Sequence, residues 1–74
     1  MFEPVVIDSL HKVYAKGPIR VELSRPTQWS RYWKWLVWDV RCSDRIKGES
    51  KGLYRARYEA FVTANQLGLF YDET

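Results

Sequence analysis

The sequence predicts an α+β fold: a small antiparallel sheet of three or four strands packed against one C-terminal helix. Three observations carry that expectation. Two short runs alternate apolar and polar residues on either side of Gly17-Pro18, as the arms of a hairpin do. Residues 33–40 are dense in aromatic and β-branched side chains, which suit a pleated strand. From about Tyr54 the apolar period lengthens to that of a helix.

The elements follow in order. Pro4-Val5-Val6-Ile7-Asp8 is a short apolar run that reads as a strand or a packed N-terminal arm. Lys12-Val13-Tyr14-Ala15-Lys16 sets Tyr14 between two lysines on one face, and Ile19, Val21 and Leu23 share a face of the next run. Gly17-Pro18 marks the turn between them. Pro18 has no N–H to give a ladder, so it belongs at the hairpin's end. Ser24 to Ser30, interrupted by Pro26, reads as a loop.

In Trp33-Lys34-Trp35-Leu36-Val37-Trp38-Asp39-Val40, period two puts Trp33, Trp35 and Val37 on one face and Leu36, Trp38 and Val40 on the other. Both faces are apolar, and a two-layer domain of this size covers only one. The segment from Cys42 to Lys51 is polar, but Ile46 points to a return strand ending near Leu53 or Tyr54.

The helical pattern runs to Leu67. Leu53, Ala60, Phe61, Ala64 and Leu67 form its stripe, with Arg55, Glu59, Thr63 and Gln66 away from it. This stripe is expected to meet Leu36, Trp38 and Val40, with Trp38 the leading core indole. Gly68 suits a C′ cap, with Leu69 as its hydrophobic contact. The start is poorly marked, because Ala56 stands where an N-cap Ser, Thr or Asp is expected. An acidic tail, Phe70 to Thr74, closes the chain.

Composition bounds the function. With 74 residues the chain is expected to be one domain, residues 1–74. Such a chain buries only about 60% of its unfolded surface. Four Trp, five Tyr and three Phe offset this, since each ring buries about 150–250 Å². No apolar run approaches the roughly 20 residues of a membrane span, and no signal peptide is recognised. A multidomain enzyme, a membrane protein and a disulfide-stapled secreted domain are excluded, and a cytoplasmic location is expected.

Cys42 is the one cysteine and His11 the one histidine. They allow no internal disulfide and no four-ligand zinc site. Asp8, Ser9 and His11 have the letters of a catalytic triad, but triad members converge from separate elements. No enzyme activity, cofactor or metal is expected.

Charge is uneven. Residues 31–57 carry eight basic residues against three acidic ones, a net +5, whereas residues 1–30 sum to +1 and residues 58–74 to −3. The basic block coincides with the aromatic strand. Cations among Trp and Tyr suit nucleic acid, where phosphates are held and rings stack on bases. The same mixture suits a protein partner, because Trp, Tyr and Arg are the usual interface anchors. The expected binding residues are Trp33, Lys34, Trp35, Arg41, Arg45, Lys47, Arg55 and Arg57. Exposed Trp33 and Trp35 would also allow a homodimer in which they pack on their symmetry mates. Lys51, Arg55 and Arg57 lie near the helix start, which the helix dipole disfavours for cations.

The stretch Trp35-Leu-Val-Trp38-Asp39, Ile46-Lys-Gly48-Glu and Leu53-Tyr-Arg-Ala-Arg57-Tyr-Glu59-Ala60 resembles a recurring small-module pattern. In it an aromatic strand hairpins into a second strand, and a helix opens with a basic-x-Glu-Ala signature. It is similar to the three-stranded-sheet-plus-helix units of phage integrase arm-binding domains and plant AP2-type domains, and to short phage and prophage proteins. Roughly residues 32–67 carry the likeness. It departs from the pattern at Ala56, where Thr or Ser usually caps the helix.

The resemblance implies two functions. In the first, a phage or prophage accessory protein inhibits or modulates a host enzyme or defence complex by protein contact, as anti-CRISPR proteins do. In the second, the uncovered sheet face enters the DNA major groove, with Arg and Lys on phosphate and Trp or Arg on base edges. The modest net charge favours the protein partner.

Overall fold

The computed structural model describes residues 2–42 and 44–72, with side chains described as far as Gly68. Its elements are β1 (Glu3–Ile7), β2 (His11–Lys16), β3 (Ile19–Ser24), β4 (Tyr32–Asp39), β5 (Arg45–Lys51) and α1 (Leu53–Asp72). The strands form one antiparallel sheet in chain order, and α1 packs across β3, β4 and β5. The fold is therefore α+β, with five strands where three or four were expected. The additional strand is the N-terminal run. All five residues of β1 are exposed, and its register against β2 shifts between Pro4 and Val6. An edge strand with no buried face lacks the alternation by which strands are recognised.

The β2–β3 hairpin closes Lys16 on Ile19 through Gly17-Pro18. Gly17 takes φ 58, the left-handed region that the first central position of a primed hairpin turn requires. Arg20 donates to the Gly17 carbonyl at 2.6 Å and holds the turn.

The core combines Ile19, Val21 and Leu23 of β3 with Trp33 and Val37 of β4 and Ala56, Ala60 and Ala64 of α1. Val21 and Val37 face each other across the β3–β4 ladder, both fully buried. Full burial of such a side chain contributes about 1.5–3 kcal/mol.

The helix covers the face of β4 carrying Trp33, Trp35, Val37 and Asp39. This corrects the expectation that Leu36, Trp38 and Val40 would be covered: Leu36 and Trp38 are half-buried on the other face, and Val40 lies exposed beyond the strand end. The physical reason is steric. Two indoles on one strand face need flat neighbours, and α1 presents alanine at every fourth position, Ala56, Ala60 and Ala64. Across the ladder from Trp35 stands Gly48, where an added Cβ would run into the Trp35 ring.

Gly52 joins β5 to α1 at φ 87, and its carbonyl accepts the Ala56 N–H at 3.1 Å. Gly52, not Ala56, is thus the residue at the cap, and Ala56 is core. The helix runs through Gly68 to Asp72 without a positive φ there, so the expected cap at Gly68 is also corrected. One interior glycine costs only about 1 kcal/mol relative to alanine, too little to end a helix anchored along its alanine stripe. The expected Leu69 side-chain contact, and Glu73 and Thr74 of the acidic tail, lie outside the described residues.

Side chains fasten the helix on both flanks. Ser50 Oγ donates to Glu59 Oε2 on the β5 side, and Thr63 Oγ1 donates back to the Glu59 carbonyl. Glu59 and Thr63 are half-buried, although the helical period placed both away from the sheet. On the other flank Phe61 stacks on Phe2 at 4.5 Å and meets Tyr14 edge-on at 5.2 Å.

Candidate functional site

The face of the sheet opposite α1 has no second layer among the described residues. Its composition follows from alternation and register, which set side chains in rows across β3, β4 and β5. The first row is Arg20, Trp38 and Arg45; the second is Glu22, Leu36 and Lys47; the third is Ser24, Lys34 and Glu49. Tyr32 opposite Lys51 extends the face toward the start of β4.

Leu36 forms the floor of a depression whose rim includes Lys34, Lys47, Glu22 and Glu49. A half-buried apolar floor inside a ring of both charge signs can seat an uncharged side chain and align a carboxylate and a cation beside it. Next to it the Arg45 guanidinium lies over the Trp38 ring at 5.0 Å. A stacked guanidinium keeps its N–H edge turned outward for an acceptor. His11 Nε2 stands 3.2 Å from Glu22 Oε2 at the β2 side of the face.

The sequence-derived binding residues separate into four groups. Lys34, Arg45 and Lys47 come together on this open face. Trp33 and Trp35 stand on the covered side. Trp33 is 3% exposed, so the expectation that it offers a free ring, to a partner or to a symmetry mate, is corrected. Trp35 packs against the core, and its indole Nε1 has no hydrogen-bond partner among the described residues.

Arg41 serves the turn after β4. It donates through Nε at 2.9 Å and Nη2 at 2.7 Å to the carboxylate of Asp39, whose Oδ1 also accepts the Arg41 N–H at 2.8 Å. Asp39 is fully buried. The Arg41 hydrogen bonds outweigh burial and hold its carboxyl below the usual aspartate range. Arg55 and Arg57 sit in the first turns of α1, on the opposite side of the sheet from Lys34, with Arg57 over the Tyr54 ring at 5.8 Å.

Trp29 was missed. It is 80% exposed in the β3–β4 loop. Its only signal in the sequence is a large ring outside every apolar period. Among the described residues no group of three or more His, Cys, Asp or Glu could hold a metal ion, and no helix is long and apolar enough to cross a membrane. No protein-family model, curated protein or solved structure matches the chain.

Proposed function

We propose that this chain is a non-enzymatic binding protein that engages a protein partner through the open face of its sheet. The observation that carries the reading is the mixed charge around Leu36: Lys34 and Lys47 alternate with Glu22 and Glu49 on one rim. The two carboxylates on that rim repel a phosphodiester backbone but can pair with cations of a protein. Leu36 and Trp38 supply the apolar centre, and the charged ring supplies a polar rim, which is the usual anatomy of a protein interface. The finer part of the proposal is an accessory role, phage or prophage in kind, in which contact with a larger host enzyme or defence complex inhibits or modulates it. The resemblance over residues 32–67 supports that part.

A duplex-binding reading of the same face rests on Arg20, Lys34, Arg45, Lys47 and Lys51, which all project from it. Salt separates the two. A partner protein held by Leu36 and Trp38 should stay bound to immobilised wild-type chain through high salt and be released by Trp38→Ala or by Leu36→Lys. Retention of duplex DNA alone, lost steeply between about 50 and 200 mM salt, would overturn the protein reading.

A further inference from the structure

A second surface lies where the β3–β4 loop meets the start of α1, adjoining the open sheet face at Lys51. The loop is fixed by its backbone. Arg25 N–H bonds the Leu10 carbonyl at 3.0 Å, Ser30 N–H the Thr27 carbonyl at 3.2 Å, and Gly52 N–H the Arg31 carbonyl at 2.6 Å. Trp29 is therefore held out from the fold at 80% exposure on a tethered loop. Arg25, Arg31 and Lys51 line one cleft with it. Arg25 lies over the buried Trp33 ring at 4.7 Å and donates Nε–H to the Ser9 carbonyl at 3.2 Å. Its guanidinium is thus oriented before any ligand arrives.

The first turns of α1 carry a similar mixture of residues. Tyr54 and Tyr58 are 79% and 65% exposed, and Arg55 and Arg57 stand between them in the sequence. Glu59, the carboxylate among these residues, is occupied by Ser50 and by Arg55 at 3.9 Å. Unlike the open sheet face, the cleft sets Arg25, Arg31 and Lys51 around the exposed Trp29 ring with no anion among its lining residues.

We infer that this end of the molecule binds single-stranded nucleic acid, with phosphates along Arg25, Arg31 and Lys51 and a base stacked on Trp29. Charge complementarity selects a polyanion. The rings then distinguish among polyanions. A protein anchor is typically enclosed in a well-packed pocket, whereas Trp29 stands open to water, as stacking on an unpaired base requires. Bases in a duplex are already stacked on one another and leave no such face.

The test uses the full chain and a labelled thymidine oligonucleotide of about a dozen residues, followed by fluorescence anisotropy. Binding is expected at about 50 mM salt and should weaken roughly twentyfold by about 200 mM if three phosphates are contacted. Trp29→Ala should lower affinity about tenfold or more, within the range for one stacked base. Arg31→Ala with Lys51→Ala should lower both affinity and salt slope. Lys16→Ala, which removes a cation at the far end of β2, should change neither. Three results would overturn the inference: no binding at low salt, wild-type affinity in Trp29→Ala, or tighter binding of the duplex. Equal binding of a polyglutamate peptide with the same Trp29 dependence would also overturn it and assign the cleft to an acidic protein segment.

Discussion

The two faces of β4 carry nearly the same aromatic load and meet opposite fates. One face sends Trp33, Trp35, Val37 and Asp39 beneath α1; the other turns Tyr32, Lys34, Leu36 and Trp38 outward. Hydrophobicity along the strand does not distinguish them. The difference lies in their neighbours. The inward face meets Val21, Leu23 and Gly48 on adjoining strands and the alanines of α1. The outward face meets Arg20, Glu22, Arg45, Lys47 and Glu49. A strand's buried side is chosen by what its partners can pack against it, and the side left over becomes the surface available for binding.

The sharpest way to test this asymmetry is to delete the same side chain from each face. Leu23→Ala empties a fully buried site and should destabilise the fold by about 2–5 kcal/mol. Leu36→Ala on the open face should cost well under half of that. Denaturant unfolding of the two variants measures both losses, and similar values would mean that the open face is covered in solution.

Next in size is Gly48→Ala. The added methyl meets the Trp35 ring at a separation no real Cβ tolerates, so strand or indole must move. A loss of about 1–3 kcal/mol is expected from this overpacking. Pairing it with Trp35→Leu should recover part of the loss, giving a clear coupling energy in a double-mutant cycle. Strictly additive losses would show that the ring does not lie across Gly48.

These two experiments also mark what could be read from sequence. The β2–β3 hairpin, β4 and the helix were legible because turn chemistry and local period define them. Ile19, Val21 and Leu23 share their buried face wherever the sheet is placed. The covered side of β4 was not legible, because it depends on register between segments distant in sequence and on Gly48 and Ala56 being small. A reading that weighs small residues as partners of large ones would have favoured the Trp33–Trp35 side. The open-face cations Lys34, Arg45 and Lys47 were picked out because the basic block of residues 31–57 coincides with the aromatic strand. Trp29 was not, since a loop residue belongs to no period; the N-terminal run was read as a strand or a packed arm, and without the alternation of a half-buried strand the two could not be told apart.

Asp39 is the polar member of the covered face, and its dependence on Arg41 gives a pH signature. Its folded-state pKa is lowered from the ordinary 3.8. The stabilisation is therefore fully present above about pH 3.8 and is lost as pH falls through the depressed folded value. Asp39→Asn should flatten that acid limb of the stability profile while leaving the near-neutral slope unchanged. An identical acid limb in wild type and variant would show that other carboxylates produce it.

The smallest expected effect concerns Arg55, on the helix that begins at the cleft residue Leu53. It occupies the first turn of α1, where a cation opposes the helix dipole. Its compensation is an exposed pair with Glu59, four residues on, at 3.9 Å. Such a pair is worth about 0.3–0.5 kcal/mol, and the dipole penalty is of similar size and opposite sign. Arg55→Ala should therefore change stability by less than about 0.5 kcal/mol, and a weaker oligonucleotide complex with a reduced salt slope would add Arg55 to the phosphate contacts of Arg25, Arg31 and Lys51. A cation that contributes nothing to the fold yet raises affinity is there for a ligand. Loss of stability well beyond that figure, with binding unchanged, would make Arg55 a structural residue and leave the cleft to Arg25, Arg31 and Lys51.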